Sequence, residues 1–383
     1  MEFDFLTPLN ADLLIEIKKN STQHLSSKVV FHSKDDFPDL NKINIAIIGV
    51  LDNRGSGEHL IEADLTFVRQ ELYSLFPGNW SQSIADLGNI VAGNSIDDTY
   101  FAVEKVVSSL IKKKIIPIVI GGSQDLTYAL YRSYDSLEQM VNLVVIDSKF
   151  DFGKQDGNNL SESYLSKIIV EEPNNLFNFS NIGYQTYLNS QEEIDLIEKM
   201  YFDAYRLGEV SNDIAISEPV FRDADILSVD LTSVKSSDSG NIIKFVPNGL
   251  DGKQICSLAR YAGISDKVSL FGIFNHNNSL NESVLIAQII WYFIEGVHFR
   301  SNEYPFGSHK DYFKYIVPFE EEEIVFYKSN KTERWWIEIP FFSNQHNKHK
   351  RITLLPCLHS DYVAATNQEL PERWWKAQRK SIL

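Results

Sequence analysis

The stretch from Ile115 to Asp151 constrains the fold of this chain most strongly, because it holds two apolar, β-branched runs separated by a segment of helical length. The first run, 115–120, stops at two glycines, and the second, 141–146, stops at Asp147. Residues 123–134 between them have room for about three helical turns, so the two strands must be parallel with a right-handed crossover. Ligands of open parallel sheets bind beyond the carboxyl ends of the strands, which here carry polar side chains.

The same alternation of strands and helices continues on both sides of this βαβ unit. It predicts a parallel sheet covered by helices on both faces. The eight predicted strands are 43–50, 84–90, 115–120, 141–146, 179–184, 202–205, 226–231 and 268–274.

Local signals mark several helix boundaries. Ser95 is a predicted N-cap, and Ser279 with Glu282 predicts a capping box at the start of a strongly apolar helix. Gly263 and Gly296 are predicted to end the last two helices of the series.

Three segments are distinguished by composition and pattern. Residues 1–42 are polar and irregular and predict an arm packed on the main domain, which spans 43–298. Residues 299–383 form an aromatic-rich C-terminal extension with four of the six tryptophans and a predicted hairpin over 323–339, with Asn330 near its turn. We interpret the tryptophans as packing of the extension on its own domain, with an exposed partner-binding surface as the alternative.

Charge and composition exclude several classes of function. The net charge of −16 argues against binding to nucleic acid or an anionic membrane, which would require clustered Lys and Arg. The N-terminus has no basic region followed by an apolar stretch, and no apolar run approaches the roughly 20 residues of a membrane-spanning helix, so we expect a cytoplasmic protein without membrane insertion. Cys256 and Cys357 are too few and too far apart in sequence to suggest a disulfide framework or a cysteine metal site.

Three motifs stand at predicted strand ends. They are Gly121-Gly122-Ser123-Gln124, Asp147-Ser148-Lys149-Phe150-Asp151 and Ser228-Val229-Asp230-Leu231-Thr232. In order and spacing they resemble the arginase, agmatinase and formimidoylglutamase family of ureohydrolases, across roughly residues 43–297. The resemblance implies a three-layer α/β/α fold with an eight-stranded parallel sheet, two Mn²⁺ ions held by these motifs, and trimers or hexamers.

The positions that hold metal in that family depart from its pattern here. Three of the six implied ligands are kept, as Asp147, Asp151 and Asp230. The other three positions, two histidines and an aspartate in the family, carry Gln124, Lys149 and Thr232, and Asn275 stands where the family has an acidic substrate contact. No histidine occurs between His59 and His276. The resemblance therefore implies a degenerate member that binds no metal cofactor and has no catalytic residues.

The chemistry of the substituted residues supports this interpretation. A charged lysine has no lone pair to give a metal, so we expect Lys149 to lie among Asp147, Asp151 and Asp230 and to form an ion-pair cluster with them. The alternative is a single hard cation, Mg²⁺ or Ca²⁺, held by the three carboxylates with help from Gln124 and Thr232. A role for Lys149 as a base is disfavoured, because three carboxylates would raise its pKa.

For two further polar residues, we expect no functional role. Arg54, in a glycine-containing loop, is interpreted as a solvated residue rather than an anion-binding one. His276, just after the last predicted strand, is interpreted as a satisfied surface or loop histidine rather than part of a binding crevice.

The expected function is that of a non-catalytic pseudoenzyme, a binding or scaffold protein with a vestigial pocket. That pocket comprises Gln124, Asp147, Lys149, Asp151, Asp230, Thr232 and Asn275. Its expected partners are another protein or further copies of the chain, and a small-molecule ligand is a further option. The alternatives are a C–N hydrolase of guanidino or formimino substrates with an atypical metal site, and a sensor that binds a guanidinium compound without turnover.

Overall fold

The computed structural model of the protein describes residues 2–57, 63–137, 139–153, 159–242, 244–303, 310–320, 322–339 and 353–380. These residues form a large, mainly parallel sheet with helices on both faces and a second, antiparallel sheet near the C-terminus. The predicted α/β fold with an aromatic-rich extension is therefore confirmed.

All eight predicted strands form, and two short strands of the N-terminal arm extend the sheet to ten. In chain order the strands are β1 Leu6–Thr7, β2 Val29–Phe31, β3 Ile45–Leu51, β4 Ile84–Val91, β5 Ile116–Ile120, β6 Val141–Ile146, β7 Leu176–Tyr184, β8 Asp203–Arg206, β9 Ile226–Asp230 and β10 Leu270–Phe274. The order in the sheet is β1-β4-β3-β5-β10-β9-β6-β7-β8, with β2 also paired to β4. Every described pair is parallel except that of β1 with β4.

Helices cover both faces of this sheet. They are α1 Ala11–Ile17, α2 Thr66–Ser74, α3 Ile96–Lys112, α4 Leu126–Arg132, α5 Tyr164–Val170, α6 Gln191–Lys199, α7 Leu207–Asn212, α8 Glu218–Asp223, α9 Ser236–Ser239, α10 Gly252–Ile264 and α11 Leu280–His298. The sequence of residues 60–76 predicts a helix, and α2 occupies Thr66–Ser74 of that range. Residues 58–62 lie outside the described residues.

Successive residues of β3 point into two different apolar cores, one on each face of the sheet. Ile47 belongs to the core under α2, α10 and α11, whereas Ile48 belongs to the core under α3, α4 and α5. Successive side chains of a strand point to opposite faces, so both faces of β3 are buried. This arrangement gives the three layers that the resemblance implied.

The glycines predicted to end helices instead lie where α10 and α11 cross. A Cβ atom on Gly263 would lie 2.2 Å from the carbonyl oxygen of Phe293, and one on Gly296 would lie 2.5 Å from that of Arg260. The helices end at Ile264 and His298, within two residues of these glycines, so the predicted ends are close. The predicted capping role was wrong, because the glycines lie inside the helices and allow the two backbones to approach closely.

The predicted N-caps form, with one difference. Ser95 and Asp98 make the reciprocal capping box of α3, and the Ser279 side chain accepts a hydrogen bond from the Glu282 backbone N–H. The Glu282 carboxylate, however, accepts from the backbone N–H of Asn277, so the predicted box at Ser279 is only half formed.

The C-terminal module, which we define as the described residues of 310–380, has its own sheet and core. Its elements are β11 Tyr312–Phe319, β12 Glu322–Ser329, β13 Trp335–Ile339, β14 Thr353–Cys357, α12 His359–Thr366 and α13 Glu372–Lys380. The antiparallel sheet has the order β11-β12-β13-β14, and the predicted hairpin with Asn330 in its turn forms β12 and β13. Trp335, Trp336 and Trp374 are buried, whereas Trp375 is 36% exposed.

Arg222 of α8 joins the C-terminal module to the main domain. Its guanidinium donates hydrogen bonds to the carbonyl oxygens of Trp335 and Cys357, and it lies 4.8 Å from the ring centroid of Trp336. On α13, Lys376 forms an ion pair with Asp203 at 3.8 Å. Among the described residues, no helix is long and apolar enough to cross a membrane.

Candidate functional site

The sheet order brings the predicted site residues together at one edge. The strands β5, β10, β9 and β6 are neighbours, so the residues that follow or end them meet. Gln124 follows β5, Asn275 follows β10, Asp230 ends β9 and Asp147 follows β6. The sequence did not reveal that β10, the last strand in chain order, lies between β5 and β9.

A glycine turn positions Gln124. Gly122 has a φ of +74°, and a Cβ atom there would lie 2.7 Å from the Asp52 carbonyl oxygen, so a larger residue would be strained in both conformation and space. The turn lets the chain leave β5 and enter α4, and Gln124 lies fully buried in the turn, two residues before the helix begins.

A chain of hydrogen bonds links Gln124 to Asp230. The backbone N–H of Gln124 donates to Asn275 Oδ1 at 3.1 Å, and Asn275 Nδ2 donates to Asp230 Oδ2 at 2.7 Å. The Gln124 side-chain amide donates to the Ser228 hydroxyl at 3.1 Å. Asn275 has a φ of +60°, a left-handed conformation that asparagine tolerates better than most residues. The amides of Gln124 and Asn275 thus connect the carboxyl ends of β5, β10 and β9.

Asp147, Asp151 and Asp230, which we call the carboxylate cluster, are each no more than 5% exposed. Burial raises the pKa of all three carboxyl groups, and the charges of Asp151 and Asp230 raise that of Asp147 further. Backbone N–H groups provide local support: that of Lys149 donates to Asp147 at 3.0 Å and that of Thr232 donates to Asp230 at 2.7 Å. The cluster therefore favours bound protons or an added cation over three free carboxylates.

Lys149 does not occupy the centre of the carboxylate cluster, so that prediction was wrong. Its Nζ lies 2.6 Å from a Glu162 carboxylate oxygen, and the two side chains are 40% and 51% exposed. Burial lowers the pKa of Lys149, but the Glu162 hydrogen bond and the charges of Glu162, Asp151 and Asp147 outweigh burial and raise it. A long, flexible ammonium gains more from an exposed partner that keeps it hydrated than from burial among carboxylates.

The structure adds residues that the sequence did not indicate. Tyr164, at the start of α5, is 2% exposed, and burial together with the charges of Asp151 and Asp147 raises the pKa of its phenol. Ser228 joins Gln124 to Thr127, whose hydroxyl lies 2.7 Å from that of Ser228. Tyr164 has the pattern of an ordinary core residue, and Ser228, although it is the first residue of the 228–232 motif, was not predicted to take part in the pocket.

His276 is not a surface histidine, and Arg54 is not simply solvated, so both expectations were wrong in these respects. His276 is 6% exposed, its Nδ1 accepts from the Asn278 backbone N–H at 2.8 Å, and burial lowers its pKa to about 4. Burial raises the pKa of the nearby Glu282 to about 7. Arg54 is not simply solvated, because its guanidinium forms a two-point ion pair with Asp52 at 3.0 and 2.7 Å.

Comparison with known proteins identifies the family. The sequence profile of the Arginase family matches residues 57–293. The chain belongs to the arginase family. Formimidoylglutamase of Lysinibacillus sphaericus (strain C3-41) is 20% identical over 226 residues, which cover 56% of this chain and 69% of that relative.

Solved structures of the arginase family share the fold at low identity. Trypanosoma cruzi formiminoglutamase with Mn²⁺ superposes with a TM-score of 0.60 at 18% identity, over 69% of this chain and all of the other. Bacillus subtilis formimidoylglutamase gives 0.60 at 16% identity, over 71% and 95% of the two chains. Agmatine ureohydrolase of Thermoplasma volcanium gives 0.55 at 17% identity, over 74% and 97%.

The donor set does not fit the pair of manganese ions that the family resemblance implied. The site offers three carboxylates, the Gln124 amide and the Thr232 hydroxyl, while Lys149 is paired with Glu162 and has no lone pair. Within the described ranges, no group of three or more His, Cys, Asp or Glu side chains is arranged to hold a metal ion.

Proposed function

We propose that this chain is a non-catalytic member of the arginase family that acts as a binding protein. The observation that carries the proposal is the direction of Lys149. At a position where the family resemblance implies a metal-binding imidazole, the chain has an ammonium group that points to Glu162 at 2.6 Å. A metal-activated hydroxide requires lone-pair ligands on both ions, and this position supplies none.

Hydrogen bonding of Gln124 supports the same proposal. Its amide N–H donates to Ser228 and its backbone N–H donates to Asn275, so the residue acts as a bridge between strand ends. Such bridges hold the carboxyl edge of the sheet in place without any ion. The preserved scaffold then presents loops for binding a protein or a further copy of the chain.

A second candidate function is hydrolysis of a C–N bond in a formimino or guanidino compound, as the names of the relatives suggest. One observation favours it: among the described residues, Gln124 Oε1 and Asp147 Oδ2 are buried acceptors without a hydrogen-bond donor. Buried acceptors of this kind usually have a partner, and an all-oxygen set suits a hard cation.

One experiment separates the two candidates. Purified protein is dialysed against excess Mn²⁺, its bound metal is counted, and release of formamide from formiminoglutamate and of urea from agmatine and arginine is measured. The binding-protein proposal expects neither stoichiometric metal nor turnover above a no-protein control. Stoichiometric metal together with turnover that a chelator abolishes would reject it in favour of the hydrolase.

A further inference from the structure

A cavity of about 480 Å³ lies where the C-terminal module meets α8, and it shares no lining residue with the carboxylate cluster. Glu218 and Arg222 of α8 form one side. Lys328, Arg334 and Trp335, on β12 and β13 and the turn between them, form another. Cavities of this size hold small-molecule ligands in many proteins.

Two guanidinium groups in this cavity share one carboxylate. Arg222 Nε lies 3.0 Å from one oxygen of Glu218, and Arg334 Nε lies 3.4 Å from the other. The two arginine side chains are only 6% and 15% exposed. In the part of the chain that the structure describes, no other carboxylate forms an ion pair with either guanidinium.

The cavity therefore carries uncompensated positive charge. Guanidinium groups stay protonated in proteins, so two of them against one carboxylate leave one charge unpaired in a partly buried place. Lys328 adds a third cation at 28% exposure, and its partner Glu333, which also lines the cavity, lies 3.9 Å away and is 81% exposed and well hydrated. Three cations therefore face two carboxylates, of which only Glu218 is substantially buried. Burial lowers the pKa of Arg222, and the charge of Arg334 lowers it further against the effect of Glu218.

One nearby carboxylate does not cancel this charge. Glu303 is 9% exposed and accepts hydrogen bonds from the hydroxyls of Thr332 and Ser329, but it does not line the cavity. Because the Thr332 hydroxyl donates to Glu303, we do not count it as a donor to a ligand.

Rigid surroundings hold the cations in place. Arg222 donates to the carbonyl oxygens of Trp335 at 3.1 Å and Cys357 at 2.9 Å, which fixes the plane of its guanidinium. The rings of Trp335 and His359, with centroids 5.1 Å apart, form an aromatic side of the cavity. Fixed planar donors beside aromatic rings suit a ligand with both an oxyanion and a flat or apolar body.

We infer that this cavity binds a small organic oxyanion, with a phosphate or carboxylate group between Arg222, Arg334 and Lys328. The site is built from both the main domain and the C-terminal module, so a bound anion strengthens their contact. A ligand that binds only when the main domain and the C-terminal module are in contact stabilises that contact by mass action.

The test titrates inorganic phosphate, pyrophosphate and citrate into the full chain at constant ionic strength, with chloride as the balancing ion. Tryptophan fluorescence and Tm are followed, since Trp335 lines the site. We expect a saturable response to at least one of these anions. A tighter response to pyrophosphate assigns a phosphate ligand, and a tighter response to citrate assigns a carboxylate one.

Variants make the result specific. Arg334→Gln leaves the pair of Arg222 with Glu218 intact and should weaken anion binding about tenfold or more, without lowering the Tm of the free protein. Lys328→Gln should weaken anion binding severalfold, and it is the substitute test if Arg334→Gln does not fold. Lys314→Gln removes an equal charge from β11 outside the cavity and should bind like the unchanged chain. No saturable response, or equal responses in all three variants, would overturn the inference.

Discussion

The Nζ atom of Lys149 lies 2.6 Å from the carboxylate of Glu162. This pair holds the only cationic side chain of the three strand-end motifs away from Asp147, Asp151 and Asp230. The three buried carboxylates are consequently left with amide and backbone donors and with raised pKa values. The following predictions test what this arrangement means for stability, metal binding and packing.

Replacing Asp147 with asparagine should stabilise the protein at high pH. Burial raises the folded-state pKa of Asp147, so its protonation supports folding below the unfolded pKa of about 3.9, and that support is lost as pH rises through the folded value. At pH 8 we expect Asp147→Asn to raise the free energy of unfolding by about 1 kcal/mol or more, and to flatten its fall between pH 5 and pH 8. Urea denaturation at both pH values measures this, with the exposed Asp35→Asn as the control. Equal pH slopes for the unchanged chain and Asp147→Asn would contradict it.

Lys149→Met should have little effect on stability. The ion pair with Glu162 is about half exposed, and such pairs contribute about 0–1 kcal/mol. A lysine buried among the three aspartates would instead cost several kcal/mol to remove, as buried ion pairs do. Urea denaturation near pH 7 distinguishes these outcomes. A loss of more than about 3 kcal/mol in the free energy of unfolding would show that Lys149 lies among the three aspartates instead.

Restoring the family's ligand types should create manganese binding. In Gln124→His/Lys149→His/Thr232→Asp, imidazoles and a carboxylate replace the groups that supply poor or no ligands, and we expect about two Mn²⁺ per chain. The matched control Gln124→His/Lys149→Gln/Thr232→Asp lacks one imidazole and should bind fewer ions. Equilibrium dialysis counts the bound ions. Equal binding by the triple variant and its control would show that residue 149 is not the obstacle, and equal binding by the triple variant and the unchanged chain would contradict the prediction.

Gly263→Ala should destabilise the protein although alanine favours helices. The new Cβ atom would meet the Phe293 carbonyl oxygen at 2.2 Å, and overpacking of this kind costs about 1–3 kcal/mol against a propensity gain of about 1 kcal/mol. Gly208→Ala in α7 is the matched control, because nothing lies within 4 Å of its Cβ position, and it should be neutral or stabilising. In thermal unfolding, Gly263→Ala should therefore lower Tm, whereas Gly208→Ala should leave it unchanged or raise it.

Sequence pattern predicted the elements better than their contacts. Strands such as β3, β5 and β6 were predictable because each is a β-branched apolar run, whereas the less apolar β4 and β8 were predictable mainly from the alternation of strands and helices. By contrast, β1 and β2, of two and three residues, have no detectable period. The roles of Gly263 and Gly296 depend on a helix crossing that follows from tertiary structure, so a local rule assigned them to helix ends.

The candidate site could also be predicted only in part from the sequence. Motif spacing predicted that Gln124, Asp147, Asp230 and Asn275 lie near one another, since it depends only on parallel strands ending at one edge. The direction of Lys149 was not predictable, because it depends on Glu162, which lies 13 residues further along in a segment without a clear pattern. Tyr164 lies beside the carboxylates through packing that no motif predicted, and Ser228, although it belongs to a motif, takes part through a hydrogen bond from Gln124 that its sequence position did not predict.

The most direct test of the central claim is anomalous diffraction at the manganese edge from crystals soaked in Mn²⁺. We predict no pair of anomalous peaks among Asp147, Asp151 and Asp230, with Lys149 still paired to Glu162. Two peaks a few ångströms apart at these carboxylates would contradict the claim that the chain has lost the metal centre of its family.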